Sequence, residues 1–362
     1  MSAVKYLAVL IFQMVLGSFA DKHAEKVPLQ RMLILMTFVN IIFSFLFYLT
    51  GHTMWMAMLT LIVFGMTIHC ASPLVDSLSI QHMNQCVKMN NALSRACGSL
   101  CWAVFCVVVG LIADAFGTNR ILIFQIIVSF LFAFFAFNMD AVDFSEGRKK
   151  KEKTEDLTSE NPDTECEIGE VHSCFYLLKH FPKYSLFLLG LVFVFAAYNM
   201  NSTFLIDWIE GMGGNHADYG MAQFVLAMAE IPVALVFYRI RGRVSIDKLM
   251  VVCAFFCFLR ATATTFSGSV TLVILSQALE LLGLSIYYVG TVYFVMDYLP
   301  QADAVKGASL INLAGMGLGE MAGSISCGLI KDAFGLRNLM LLSSGVGFVG
   351  VVVMVWMWRR LK

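Results

Sequence analysis

Gly110-Leu-Ile-Ala-Asp114-Ala-Phe-Gly117 and Gly328-Leu-Ile-Lys-Asp332-Ala-Phe-Gly335 are one string written twice, with a single substitution, 218 positions apart. Each copy closes a long apolar run. Repetition on this scale is the mark of a duplicated structural unit. The composition says what the unit is made of. Of 362 residues, 59% are hydrophobic and only 14% charged, whereas soluble domains carry about 25% charged residues. A chain this apolar lacks the polar surface to cover itself in water, so it reads as a helical membrane protein.

Within lipid each backbone amide must be satisfied inside its own segment, so long apolar runs become helices. Runs of spanning length are expected near 4–20, 32–50, 54–76, 93–115, 119–138, 184–206, 217–239, 248–267, 270–296, 305–330 and 336–358, about eleven in all. Lys and Arg set the orientation. Lys22, Lys26, Arg31, Lys88, Arg95, Arg148 to Lys151, Lys153, Arg239, Arg241, Arg243, Lys248, Lys306, Arg359, Arg360 and Lys362 gather on one set of loops. The other set holds little beyond Arg120, Lys331 and Arg337. The first set is therefore cytoplasmic, and the C-terminus lies inside. A cleaved signal peptide (Lys5, then an apolar stretch to Ser18-Phe19-Ala20) is the alternative reading of the N-terminus, but cleavage would strand Lys22, Lys26 and Arg31 on the wrong side.

The segment 139–182 is polar, Lys-rich and then acidic, and reads as a flexible linker. It divides the chain into an N-terminal bundle, 1–138, and a C-terminal six-helix bundle, 183–362. Carrying the 218-residue offset back from the span at 184–206 gives a position upstream of Met1, so the first half reads as one helix short. Parallel halves of six helices, related by an axis along the membrane normal, resemble the major facilitator architecture. Gly17-Ser-Phe-Ala-Asp21-Lys22 is similar to that superfamily's Gly-x-x-x-Asp-Arg/Lys loop motif, which implies gating roles for Gly17, Asp21 and Lys22. The expected fold is thus an all-α membrane protein of two pseudo-symmetric bundles.

Ionisable residues inside spans are costly and need a partner or water. Asp76, Arg95, Glu230, Arg260, Glu280 and Glu320 meet that description, and structural pairing competes with a substrate and ion pathway as their explanation. Arg95 and Trp102 are seven apart and so share a helical face. A guanidinium fork and a flat indole suit a small polar solute with a ring, although Trp102 equally suits packing. Glu320 lies in Gly315-Met-Gly317-Leu-Gly319-Glu320-Met-Ala-Gly323, whose glycines four apart allow close helix packing.

Several stretches resemble lactose permease and its relatives among proton-coupled sugar and phenylpropionate permeases. These are Pro73-Leu-Val-Asp76, Arg95-Ala-Cys-Gly98-Ser-Leu-Cys-Trp102, Glu230-Ile-Pro232, and Arg260 followed by Gln277 and Glu280. The resemblance implies substrate-binding roles for Asp76, Arg95, Trp102, Glu230 and Gln277, and proton-coupling roles for Glu280, Arg260 and Glu320. Departures restrict it. Glu280 stands where the family has His, Gln277 where it has Lys, and Gly283 where it has a further acid central to proton release. Glu280 is the expected substitute.

The reading that follows is a secondary transporter of a sugar, nucleoside or aromatic acid, working by alternating access with protons as the coupling ion. A sensor or binding protein that kept the fold without transport is the alternative. No P-loop, G-x-S-x-G or H-E-x-x-H occurs, which argues against ATP-driven pumping and hydrolase chemistry. Ten cysteines form no CxxC pair, and the histidines, His69 among them, show no metal spacing. Asn201-Ser-Thr matches a glycosylation acceptor but sits in or beside a span. The expected partners are a small-molecule substrate and the lipid bilayer, with no cofactor, metal or nucleic acid. The chain is expected as a monomer in the inner (plasma) membrane.

Overall fold

The computed structural model describes residues 4–9, 11–12, 16, 29–50, 53–84, 91–117, 119–138, 174–300 and 303–360. At 29, 72–73, 76–84, 91–96, 234, 238, 304–306 and 360 it describes the backbone alone. Gly17, Asp21, Lys22 and residues 139–173 of the 139–182 segment lie outside the described residues, as does much of the span expected at 4–20. No strand occurs among the described residues. The helices are α1 (Leu29–Leu49), α2 (Met54–Asn84), α3 (Asn91–Phe116), α4 (Asn119–Phe137), α5 (Cys174–His180), α6 (Pro182–Thr203), α7 (Leu205–Gly211), α8 (His216–Arg241), α9 (Ile246–Phe266), α10 (Val270–Ser276), α11 (Leu284–Tyr298), α12 (Ala304–Asn312) and α13 (Glu320–Arg360). A tight 3₁₀ turn, Gln277–Leu282, joins α10 to α11, and a wide π turn, Leu313–Gly319, joins α12 to α13.

Nine helical segments among the described residues are long and apolar enough to cross a membrane. The last runs 53 residues, more than twice the roughly 20 that a bilayer needs, and it bends at Gly335. Gly335 has φ +80°, and Gly117, its counterpart in the repeated string, has φ +82°. Both copies therefore end their helix in a left-handed conformation that only glycine adopts without strain.

The chain forms two compact units. One comprises residues 3–91 and 119–168, and the other comprises 92–118 and 169–362. In the first, α1 packs on α2 and α4. Buried Asn40 of α1 donates to Thr67 Oγ1 of α2 at 3.2 Å and accepts from Gln125 Nε2 of α4 at 3.4 Å. Hydrogen bonds of this kind hold helices together where lipid gives no hydrophobic drive for their association.

The second unit is built around α6, and close packing does most of that work. A Cβ placed on Gly315 would meet the Phe195 ring at 3.0 Å, and one on Gly319 would meet Phe195 Cβ at 2.7 Å. One on Gly323 would meet the Ala196 carbonyl at 2.7 Å. The glycine stripe expected from the sequence thus lies against one side of α6. On another side Gly350 faces Val194, and Gly190 of α6 receives Met354. Absent side chains let these backbones approach, and the summed van der Waals contact replaces the missing solvent drive.

Two glycines of α13 separate this contact from helix propensity. Gly323→Leu drives a side chain into backbone and is expected to lower the stability of purified protein in detergent by about 1–3 kcal/mol. Gly328→Leu, whose Cβ would meet nothing within 4 Å, is expected to stay within about 0.5 kcal/mol of the parent in the same thermal unfolding experiment. Equal losses for the two would contradict the packing account.

Candidate functional site

Arg260 lies on the inner face of α9 and is 1% exposed. Guanidinium groups are seldom so buried without partners. Its Nη1 donates to Gln277 Oε1 at 2.7 Å, its Nε lies 3.3 Å from Glu280 Oε2, and its guanidinium carbon stands 4.5 Å over the Tyr198 ring of α6. Gln277 and Glu280 are 0% and 1% exposed. The three residues that the sequence singled out on two separate spans, Arg260, Gln277 and Glu280, therefore meet at one place.

The backbone bends to bring them there. The sequence predicts an unbroken span over 270–296, whereas the chain tightens into the 3₁₀ turn at Gln277 and restarts as a helix after Gly283. Polar side chains compete for the carbonyls at the break. Ser276 Oγ donates to Val273 O at 2.6 Å, and Gln277 Nε2 donates to the same carbonyl at 3.2 Å. Ser285 Oγ donates to Glu280 O at 2.7 Å. Such bonds satisfy groups that a continuous helix would have paired with backbone amides. Gln277 Nε2 also donates to Thr264 Oγ1 and Ser276 Oγ, at 3.3 and 3.2 Å, so its amide is fixed with the oxygen toward Arg260. A Cβ on Gly283 would stand 3.3 Å from Glu280 Oε2. The position that carries an acid in the permease resemblance is here the space beside Glu280.

This unit holds two ion-pair clusters. At one end of the bundle, Lys183 donates to Asp247 Oδ2 at 2.6 Å and to Tyr298 at 2.8 Å, and Tyr298 donates to Asp247 Oδ2 at 2.7 Å. This closed triangle ties α6, α9 and α11 together. Arg241 forks onto Asp297 at 2.7 and 2.9 Å beside it in the chain order. Both places hold buried atoms that make no well-formed hydrogen bond among the described residues: Asp247 Oδ1 and Arg241 Nε at the end of the bundle, and Arg260 Nε and the two Glu280 oxygens at the mid-span pair, where the Leu284 amide also faces the Glu280 carboxyl. Buried polar atoms without partners are rare and cluster where a ligand, ion or proton completes them.

The other singled-out residues fall as follows. Glu230, on α8 two residues before Pro232 inside the same helix, accepts from Ser99 Oγ of α3 at 3.2 Å. Glu230 and Glu280 both lie within electrostatic range of Tyr198 and Tyr288. Glu320 is the first residue of α13, immediately after the π turn. Trp102 of α3 is 61% exposed. Asp76 and Arg95 lie on α2 and α3, where the backbone alone is described. Tyr198, Tyr288, Ser99 and Thr264 escaped the sequence reading. Their one signal was polar atoms inside apolar runs, weaker than a charge. No group of three or more potential metal ligands occurs among the described residues.

The sequence profile of the MFS_1 like family matches residues 1–342. No curated protein matches the chain. Among solved structures, the nucleoside transporter NupG is 13% identical, with a TM-score of 0.76 over 99% of this chain and 89% of that one. The peptide transporter POT in complex with sulfate is 12% identical, with a TM-score of 0.69 over 98% of this chain and 84% of that one. A POT family transporter in complex with 5-aminolevulinic acid is 12% identical, with a TM-score of 0.63 over 98% of this chain and 85% of that one.

A buried pair is tested by breaking it from one side and then from both. Arg260→Met leaves the Glu280 carboxyl alone in the interior and is expected to cost about 3–5 kcal/mol in detergent. Adding Glu280→Gln to that variant should restore much of the loss. A double variant no more stable than Arg260→Met would contradict the pairing.

Proposed function

Since the chain belongs to the MFS_1 like family, we propose that it is a secondary active transporter that moves a small organic solute by alternating access, with the Arg260–Glu280 pair coupling the movement to protons. The observation that carries this reading is the incomplete mid-span cluster. A guanidinium, an amide and a carboxyl converge, buried, at a helix break. Transporters place substrate and ion sites at such interruptions, where freed backbone and buried charges can face a solute.

The chemistry follows from competition for one guanidinium. A carboxylate beside Arg260 is stabilised as the anion, and one in a dry apolar site favours its neutral form. If Arg260 turns toward a bound solute, Glu280 loses its counter-charge and takes up a proton. When the solute leaves, Arg260 returns and the proton is released. Gln277 presents one acceptor to Arg260 throughout and one amide to its neighbours, so it holds the guanidinium in place without a second charge. Tyr198 and Tyr288 add flat faces and phenolic hydroxyls beside the pair.

A solute with a ring and several hydrogen-bonding groups suits this set. Sugar, nucleoside and aromatic acid all qualify. The fold likeness to a nucleoside transporter gives the nucleoside reading additional support. In this account the site chemistry is that of the lactose permease branch with Glu280 in the protonatable role. The protein works in the inner (plasma) membrane with its C-terminus cytoplasmic.

Reconstituted vesicles test the proposal with tritiated uridine, lactose and phenylpropionate as probes. An inward proton gradient is expected to drive accumulation of one of the three above its outside concentration. Glu280→Gln should still equilibrate that solute but lose accumulation. Accumulation by Glu280→Gln would reject the proton-coupling role, and binding of a probe without any movement would favour a sensor.

A further inference from the structure

Helices α3 and α8 run antiparallel and meet at a few points. Ser99 meets Glu230 through a hydrogen bond of 3.2 Å. Further along, a Cβ on Gly220 would stand 2.5 Å from the Cys106 carbonyl. One on Gly110 would stand 2.6 Å from the His216 carbonyl. At both glycines backbone lies directly on backbone. Past Gly110 the seam ends in charge. Asp114 Oδ1 accepts from the His216 amide at 3.1 Å, and Oδ2 accepts from the Ala217 amide at 2.8 Å. The His216 imidazole stands 3.5 Å from Asp114 and 3.4 Å from Glu210 of α7.

An acid on a helix's first amides is ordinarily a cap, but α8 already has one of its own. Asn215 Oδ1 accepts from the Asp218 amide at 2.9 Å, and Asp218 Oδ2 accepts from the Asn215 amide at 2.9 Å. That reciprocal pair is a complete capping box. The box leaves the first-turn amides of His216 and Ala217 without partners inside α8, and Asp114 satisfies them from a neighbouring helix. The repeated string makes the same point. In its second copy Lys331, in place of Ala113, carries the interhelical contact, to Asp207 at 2.5 Å. Each copy contributes one charged fastening, and the first copy's fastening lies across the α3–α8 seam.

We propose that the Asp114 carboxylate seated on the first turn of α8 is a latch that closes one end of the seam, and that its release opens a path past Glu230 toward the Arg260–Gln277–Glu280 cluster. This rests on the transport reading above, and the charge distribution of the loops places the latched end outside. Glycine contacts bring the two helices together but have no alternative partner to exchange for. A carboxylate at the helix end can trade the amides for water and trade back, which a gate requires. Ser99 and Glu230 mark the inner limit of the same seam.

A native thiol reports on the latch. Cys106 is half-buried beside the seam, within electrostatic range of Tyr219 of α8, and about 12 Å along α3 from Asp114. Cells expressing the full chain are treated from outside with a membrane-impermeant maleimide, and each cysteine is quantified by peptide mass spectrometry. Asp114→Ala is expected to label at Cys106 at least tenfold faster than the parent, while buried Cys253 and Cys327 stay protected in both. Asp114→Asn, which keeps one acceptor and the same shape, should fall between them. An unchanged Cys106 rate in both variants would overturn the latch, as would labelling of Cys106 from the cytoplasmic side alone. If Asp114→Ala exposes every cysteine, Asp114→Asn decides by the same criterion. The labelling needs no solute, so failure of the transport assay and failure of the latch are separate results.

Discussion

A guanidinium in the middle of a membrane span constrains everything around it. Arg260 cannot shed its proton, and leaving it bare in the interior would cost several kcal/mol. Tyr198, Gln277 and Glu280 answer that demand from three different elements. To supply two of them, the chain between Val270 and Tyr298 gives up helical continuity for one tight turn. The carbonyls freed by that turn are then taken by Ser276, Gln277 and Ser285. Helix geometry, side-chain chemistry and burial are therefore settled together at one location.

The rest of the second unit divides into parts that are fixed and parts that can exchange partners. Gly315, Gly319 and Gly323 press α13 and the π turn onto α6, and the Lys183–Asp247–Tyr298 triangle ties the other end of α6 to α9 and α11. Both tie helices of this unit to one another. The Arg260–Glu280 contact and the Asp114 contact are different. Each consists of charge whose present partners could be exchanged for water, a proton or a solute. A transporter needs both kinds of contact, because a body that rocks must be stiff and the groups that sense its position must not be.

Much of this was written plainly in the sequence. The repeated string predicted equivalent helix ends, and Gly117 and Gly335 share a left-handed backbone. The glycine spacing before and after Glu320 predicted a close helix contact, and α6 occupies it. Arg260 and Glu280 stood out because charges in apolar runs are costly, and Gln277 through the permease resemblance; the three come together. The break at Gln277 was not legible, since hydropathy over 270–296 is continuous and the turn is enforced by short-range side-chain bonds. Tyr198 was hidden because an aromatic residue in a span is ordinary until its partner is known. Residues 92–118 cluster with the second unit, although they precede the linker in the chain. Gly110 and Gly220, which allow that approach, look in sequence like any other membrane glycines.

The central claim is that Glu280 exchanges a proton under the control of Arg260. Infrared difference spectroscopy of the reconstituted protein, recorded as pH is stepped, observes the carboxyl stretch of that group directly. The account predicts a protonated-carboxyl band that disappears in Glu280→Gln and shifts its pH midpoint in Arg260→Met. Spectra that are identical in the parent and in Glu280→Gln would contradict it.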